Sequence, residues 1–434
     1  MLVWAGGTPK VCGFAAWGLR VVRRGVGVTG MQWQRSAGVL LVAALVVTGG
    51  CGNDDSDTGA EPTAQPEGTA GSFEWVGVEL DEQLETAVAL GEGFVGQTVN
   101  VKPDYDETSE EFPFVITVVV SPDGVTWTKP DIPVLQQDEM VEWRAGGPWG
   151  AVARLTNPSS ESYIPDLLFT PDGEEWVRGQ FPRDVVDAAQ MGLGNDTYAV
   201  GQAGVMVAAL VDDSESVVLL SQDLQQWQTV DHPLPTSGEM GLEVTASPAG
   251  AYLLSTPAGG ADGPVPIVGY VSTDGQSWEP MTTSEEYQIA GGGTGWSTGW
   301  RDGFAVYTYL FPEGSDELNE GPGESQIWLS TDDGTWAEVD MSAVPASHMV
   351  PELHGSTLGL LTLGEGMPKE GEESEGEDTD LVFSSDGQTW QAISAQDTFG
   401  AAGLIPVVLG ETKVLVGVAG QSGYQLWLGT PTAP

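Results

Sequence analysis

The sequence predicts an all-β fold, a seven-bladed β-propeller whose blades are four-stranded antiparallel sheets. The first observation is a heptad ending in Trp, which recurs six times at intervals of 49 to 58 residues. A steady period of this length is typical of propeller blades. The second observation is composition, because 60 Gly and 16 Trp with only 18% charged residues favour turns and strands over helices.

The six heptads share Ser or Thr at the first position, Asp at the third and Trp at the seventh. They are "SPDGVTW" (121–127), "TPDGEEW" (170–176), "SQDLQQW" (221–227), "STDGQSW" (272–278), "STDDGTW" (330–336) and "SSDGQTW" (384–390). We expect each Asp to accept hydrogen bonds from turn N–H groups, and each Trp to bury apolar area against a neighbouring hairpin or blade. The residues with this structural role are Asp123, Trp127, Asp172, Trp176, Asp223, Trp227, Asp274, Trp278, Asp332, Trp336, Asp386 and Trp390.

The turn type follows from Asp-Gly, which between strand-like runs predicts a type I′ hairpin with positive φ at both central residues. Two copies depart from this pattern. Leu224 replaces Gly in the third heptad, and Gly334 is displaced by one residue in the fifth. We expect these two turns to be looser or of another type.

Each repeat contains two strand-like runs joined by a tight turn, a variable loop, a third run, the heptad and a fourth strand that holds the Trp. After Trp390 only three runs remain, and "SFEWVGVEL" (72–80) supplies the missing fourth strand. Trp75 stands 52 residues before Trp127, which fits the period. We therefore expect the last blade to be closed by the N-terminal strand, within a domain of residues 72–430. An open solenoid and a pair of β-sandwiches are the alternatives.

The heptad resembles the Asp-box, or BNR repeat, of sialidase-like propellers, where it forms the turn between the third and fourth strands. It has one residue fewer between Asp and Trp than the usual Asp-box. Sialidases hold the substrate carboxylate with three Arg and use a Tyr–Glu pair and an acid–base Asp. Here the resemblance assigns no catalytic residue, because Arg301 falls on the heptad side and Arg144 and Arg154 belong to one blade. The many carboxylates still leave a glycosidase acid–base pair open.

Residues 1–50 are predicted to be a signal region, with the true start at Met31. "MQWQRSAGVLLVAALVVTGGC" (31–51) has a basic start, a short apolar core and small residues before Cys51. It resembles a bacterial lipoprotein signal, which implies lipidation of Cys51, although Thr48 departs from the usual Leu. An ordinary signal with an incidental Cys is the alternative. Residues 51–71 are predicted to be a disordered tether, so the protein would be secreted and held on the outer face of the cell membrane.

The net charge of −49 argues against nucleic acid and anionic lipid as partners, because binding of either needs patches of Lys and Arg. Three connections between second and third strands are acidic (102–112, 312–325 and 365–380), and they share the face opposite the heptads. Candidate residues for binding a cation or a basic protein there are Asp104, Asp106, Glu317, Glu373 and Glu375. The alternative is that these loops only keep the protein soluble. A divalent cation is left open, but no other cofactor or metal site is predicted.

The predicted function is a lipid-anchored, monomeric binding or scaffolding module for a protein or carbohydrate ligand in the envelope. A sialidase-like glycoside hydrolase and an envelope assembly factor are the alternatives. A cluster of Arg and carboxylate side chains at one pore mouth would favour the enzyme.

Overall fold

A computed structural model describes most of the chain from Gly68 onwards, all of it within the unit Gly52–Pro434. The described residues are 68–70, 73–80, 82–102, 114–136, 139–156, 165–182, 196–212, 215–234, 242–255, 265–266, 269–281, 288–289, 293–310, 324–330, 336–344, 348–365, 379–400, 403–420 and 423–432.

These residues are almost entirely β-strand. The strands are β1 (Gly68–Ala70), β2 (Phe73–Val78), β3 (Leu84–Leu90), β4 (Gly93–Val101), β5 (Phe114–Ser121), β6 (Met140–Gly147), β7 (Gly150–Thr156), β8 (Asp166–Thr170), β9 (Val177–Gln180), β10 (Thr197–Gly201), β11 (Gly204–Asp212), β12 (Glu215–Ser221), β13 (Gln228–Thr229), β14 (Glu243–Ala246), β15 (Tyr252–Ser255), β16 (Val265–Pro266), β17 (Gly269–Ser272), β18 (Glu279–Pro280), β19 (Gln288–Ile289), β20 (Gly293–Trp300), β21 (Gly303–Leu310), β22 (Glu324–Ser330), β23 (Trp336–Glu338), β24 (His348–Gly355), β25 (Leu360–Glu365), β26 (Thr379–Ser384), β27 (Gln391–Ile393), β28 (Gly403–Leu409), β29 (Val414–Gly420) and β30 (Gly423–Pro431). A 3₁₀ turn (Met341–Ala343) and a short helix α1 (Ala395–Phe399) complete the elements.

The strands pair as four-stranded antiparallel meanders that follow one another along the chain. Four of these sheets are β10–β13, β14–β15–β17–β18, β20–β23 and β24–β27. β6–β9 form another, which a single parallel pair between Leu90 and Gly147 joins to β3–β5. The predicted all-β class of four-stranded antiparallel sheets is therefore confirmed.

The N-terminal and C-terminal strands of the described chain lie side by side. β2 pairs antiparallel with β30 from Phe73/Pro431 to Val78/Leu426, beside β29 and β28. The side chains of Phe73 and Trp75 are buried against aromatic rings of neighbouring elements. β1 adds a further strand outside β2, so the last residues expected in the tether are paired strand, and the rest of the tether lies outside the described residues.

Consecutive sheets pack face to face, and each interface buries an apolar layer. For example, Val152 and Leu167 of one sheet pack with Val207 and Leu219 of the next. Such burial is worth about 25 cal/mol per Å² of apolar surface, so these layers dominate the stability of the domain. A corresponding layer joins Leu415 and Leu428, near the C-terminus, to Phe94 and Val119 of β4 and β5.

Candidate functional site

The heptad Asp side chains are engaged within their own turns. In the first heptad, Asp123 Oδ1 accepts hydrogen bonds from the backbone N–H groups of Val125 (2.8 Å) and Thr126 (2.6 Å). The Thr126 bond is the main reason why the pKa of Asp123 falls to about 2. The same pair of bonds forms at Asp172, Asp223, Asp274 and Asp386. Asp332 and Gly334 lie outside the described residues.

The conformation of these turns corrects two predictions. Positive φ occurs at the fourth heptad position only, for example 78° at Gly124 and 72° at Gly275, whereas the preceding Asp keeps negative φ, so the turns are not type I′. Leu224 occupies this position with φ 54°, and Asp223 makes the usual two bonds. The expectation of a different turn at Leu224 was therefore wrong. Its side chain is buried beside Phe181 and Tyr198, and this burial offsets the cost of left-handed backbone.

The heptad Trp residues pack as staples at the ends of the sheets. Trp336 and Trp390 are buried, and the other four are half-buried. Trp227 stacks on Phe181 with ring centroids 5.4 Å apart, and Trp176 lies 6.4 Å from Trp143. Most of these Trp residues immediately precede the fourth strand instead of lying within it, because ladder pairing starts one residue later; Trp336, which begins β23, is the exception.

The heptad end of the sheets also carries the turns between first and second strands, and neighbouring turns are tied together there. The Gly91 N–H donates to Gly147 O, the Gln202 N–H to Gly250 O and the Arg301 N–H to Ser356 O. Trp149 Nε1 donates a hydrogen bond to Pro248 O at 3.0 Å, which joins the turn after β6 to the turn after β14. The polar groups at this end are thus largely used to join turns.

The opposite end holds a group of charged side chains that we call the Arg–acid cluster: Glu142, Arg144, Arg154, Asp196 and Tyr198. Arg154 projects from β7 and lies 3.6 Å from Asp196 Oδ1, with side chains only 7% and 4% exposed. The Tyr198 hydroxyl donates a hydrogen bond to Asp196 Oδ2. Burial, together with the Asp196 charge, raises the pKa of Tyr198 well above its usual value, so this Tyr stays protonated.

A second, more accessible pair adjoins this buried one. Arg144 contacts Glu142 Oε2 at 3.0 Å, with side chains about one quarter exposed. Arg144 is the extra residue of a β-bulge in β6, and Glu85 is the extra residue of a matching bulge in β3. Bulges commonly redirect a side chain next to a binding site. The cluster thus has a buried layer beneath an accessible guanidinium and carboxylate.

Several polar atoms of the cluster lack hydrogen-bond partners among the described residues. They are Arg144 Nε, Arg154 Nε and Asp196 Oδ1. Unpaired buried polar atoms also occur elsewhere in the described residues, for example Nε1 of Trp127, Trp336 and Trp390, so they do not by themselves mark a ligand site. The groups within reach of a ligand are the partly exposed Arg144 guanidinium, which donates, and the Glu142 carboxylate, which accepts, and this pair suits hydroxyl groups that donate and accept at once.

Carboxylates recur at one level of the first strands of successive sheets. Glu85, Glu142 and Asp196 each stand eight residues before the Gly that follows the first turn, namely Gly93, Gly150 and Gly204. Leu90 pairs in parallel with Gly147, and Glu85 and Glu142 each stand five residues before one of them, so these two acids lie at the same level along their strands. Burial raises the pKa of Glu85. Glu243, the first residue of β14, accepts a hydrogen bond from the Ser297 N–H at 3.0 Å.

Sequence reasoning missed this cluster although a signal was present. The eight-residue spacing from an acid to a turn Gly is visible in three repeats, but it is fainter than the heptad. The site residues predicted from the sequence (Asp104, Asp106, Glu317, Glu373, Glu375 and Cys51) lie outside the described residues.

In the described residues no three His, Cys, Asp or Glu side chains meet in a way that could hold a metal ion. Among them there is also no helix with the length and hydropathy to cross a membrane.

No protein-family model and no curated protein matches the chain. Solved structures with some likeness include a phage phi92 endosialidase, at 10% identity and TM-score 0.38, with 84% of this chain and 70% of that one covered. An ancestral GH74 enzyme has 14% identity and TM-score 0.42, with 85% and 52% covered. The Aleuria aurantia lectin with α-methyl-L-fucoside has 12% identity and TM-score 0.32, with 85% and 99% covered. At these values none of them bears on what the chain does, so its function is argued from its own residues.

Proposed function

We propose that residues 72–430 form a closed seven-bladed propeller that binds a carbohydrate at the end opposite the heptads. The observation that carries the proposal is the Arg–acid cluster, with its accessible Glu142–Arg144 pair over the buried Arg154, Asp196 and Tyr198. A buried support that holds an exposed donor and acceptor is how binding sites keep their geometry.

Seven blades and closure rest on the order of contacts between first strands. β3 contacts β6, and the series continues through β10, β14, β20 and β24 to β28, which contacts β3 again. The β2–β30 ladder supplies the fourth strand of the last sheet. Lys413 Nζ, in the β28–β29 turn, donates to Asp123 O at 2.6 Å and ties the last sheet to the first heptad. Closure of this kind leaves no open sheet edge at the chain ends.

The anchoring part of the proposal rests on sequence. A lipid on Cys51 and a tether of about twenty residues would hold the domain outside the cell membrane, where glycans are exposed. Lipidation is tested by metabolic labelling with an alkyne fatty acid: label on the native protein and its loss in Cys51→Ala support the anchor, whereas equal label in both excludes it.

Carbohydrate binding is tested on a glycan array with the purified protein, followed by calorimetry on the best ligand. We expect Arg144→Met and Glu142→Gln to weaken binding at least tenfold without lowering the melting temperature by more than a few degrees. Glu279→Gln, an exposed acid on β18, is the matched control and should bind normally. No bound glycan, or binding indifferent to both cluster variants, would reject the proposal.

A second candidate is a glycoside hydrolase. The Arg–acid cluster favours it, because Arg and carboxylate side chains gathered at one end of the sheets are the sign of an enzyme named above. Within the cluster the Tyr198 hydroxyl donates a hydrogen bond to Asp196, and both Arg154 and Arg144 act electrostatically on Tyr198. Activity on a panel of glycosides that disappears in Tyr198→Phe, with binding retained, would establish the enzyme. Binding of glycosides without turnover of any member of the panel would reject the enzyme and support the binding module.

A further inference from the structure

Trp149 is an aromatic side chain that the repeat does not require. It stands in the turn between β6 and β7, and none of the other described turns between first and second strands carries an aromatic residue. Its side chain is 36% exposed, more than that of any other Trp whose burial the structure describes. Packing between sheets explains the heptad Trp residues, but it leaves the exposed part of Trp149 without a purpose.

The Trp149 indole is held in one orientation by the turn between β14 and β15. Nε1 donates to Pro248 O at 3.0 Å. The ring also packs on the backbone of Gly250, where an added Cβ would lie 2.8 Å from both Cε2 and Nε1 of the indole. Gly250 has φ 89°, in the left-handed region that favours glycine. Because the indole is already fixed, little has to be ordered when a ligand stacks on it.

An exposed amide lies beside this indole. Gln202, in the turn between β10 and β11, has its Cβ 2.8 Å from the same point over Gly250, so the two side chains lie next to each other. The Gln202 side chain is exposed, and its backbone N–H donates to Gly250 O at 3.0 Å. An aromatic surface with one placed amide, which both donates and accepts, is the usual composition of a site for a polar organic ligand.

The charges around this pair of side chains disfavour an anionic ligand. Glu92, in the turn between β3 and β4, and Glu174 and Glu175, in the second heptad, are all exposed at this end. Every Lys and Arg in the described residues already has a partner: Lys102, Lys129, Arg144, Arg154, Arg178, Arg301 and Lys413. An acidic glycan or a nucleotide would therefore meet carboxylates and no unengaged cation among these residues.

We propose that Trp149 and Gln202 form a second carbohydrate site, at the heptad end, for a neutral chain of pyranose rings with equatorial hydroxyls. Such a ring has a flat apolar C–H face that can cover the exposed indole and remove it from water. Its hydroxyls lie around the edge of the ring, where one of them can bond with the Gln202 amide. We call this pair of residues the Trp149 site.

The Trp149 site does not depend on the Arg–acid cluster, because the two lie at opposite ends of the sheets. With a site at each end, one protein would hold two glycan chains at once, which goes beyond binding at the cluster alone. A second copy of this chain fits the Trp149 site less well. It would bring its own Glu92, Glu174 and Glu175 against the same carboxylates.

The test is calorimetry with neutral hexasaccharides of β-linked glucose, xylose or N-acetylglucosamine, beside the charged hexagalacturonate and hexaglucosamine. For the best neutral chain we expect a loss of about tenfold in affinity with Trp149→Ala and about threefold with Gln202→Ala. Val125→Ala, an exposed heptad change, is the control and should bind normally. Saturation-transfer NMR should find the axial C–H protons of one ring face nearest the protein. Repeating the titrations in an Arg144→Met background separates this site from the Arg–acid cluster.

Binding that persists in the Arg144→Met background and is lost on adding Trp149→Ala would support the Trp149 site. Binding that is lost with Arg144→Met and is indifferent to both Trp149→Ala and Gln202→Ala would overturn it while leaving the cluster as a site. Tighter binding of either charged hexasaccharide than of every neutral one would also reject the proposal. Dimerisation of the free protein that Trp149→Ala abolishes, measured by light scattering, would assign the exposed indole to a second copy instead.

Discussion

The two ends of the sheets use polar side chains in opposite ways. At the heptad end each described Asp accepts two short backbone bonds inside its own turn, and five turns repeat this pattern. At the other end the first strands bulge at Glu85 and Arg144, and Arg154, Asp196 and Tyr198 pair with one another between neighbouring sheets. Repetition therefore marks the scaffold, and departures from regular pairing mark the candidate site.

The largest expected effect is at a heptad Trp. Trp336 is 2% exposed and packs with Leu253 and Met281 of one sheet and Phe304 of the next. Trp336→Ala should lower the free energy of unfolding by about 3–5 kcal/mol, because a large cavity opens between two sheets. Urea titration measures this loss, and Val125→Ala, an exposed heptad change, should stay within about 0.5 kcal/mol. A small loss for Trp336→Ala would show that this Trp is not a staple.

The next largest loss of stability is expected when the buried ion pair of the Arg–acid cluster is broken. Arg154→Met leaves the Asp196 carboxylate buried without its cation and should cost about 3 kcal/mol. Adding Asp196→Asn should recover part of the loss, since the uncompensated charge is removed. A double-mutant cycle on thermal unfolding measures the coupling, and additive effects would mean that the two side chains act independently.

A smaller effect is expected at Leu224, where a heptad departs from its own pattern. Leu224→Gly relieves left-handed strain worth about 1 kcal/mol but removes a buried side chain worth about 2–3 kcal/mol. The net loss should be about 1–2 kcal/mol. Chemical denaturation measures it, and a more stable variant would show that the strain outweighs the packing.

The smallest effect concerns one turn carboxylate and its dependence on pH. Asp123→Ala should lower stability by about 1 kcal/mol at pH 7, since the hydrogen bonds that its carboxylate accepts are partly screened by solvent. The folded pKa of about 2 lies below the ordinary value of about 4, so this contribution is present above pH 4 and is lost as pH falls towards 2. Melting temperatures of both proteins between pH 7 and pH 2 should therefore converge. A constant gap would assign the effect to packing alone.

The repeat made the fold class predictable, because a period near 50 residues, Gly-rich turns and β-branched runs all point to the same short antiparallel sheets. The partnership of "SFEWVGVEL" with the last strands was also predictable, since one strand was missing at one end of the chain and one was spare at the other. The turn type was not, because Asp-Gly alone does not tell φ at the Asp, and Leu224 shows that packing can hold a branched side chain at a position usually filled by Gly.

The candidate site was decided by tertiary structure. Arg154 and Asp196 are 42 residues apart in the chain, and only the packing of one sheet on the next brings them to 3.6 Å. The sequence by itself determined the repeated strands and turns because these are local. The cluster arises where one sheet packs on the next, and only the folded chain brings those partners together.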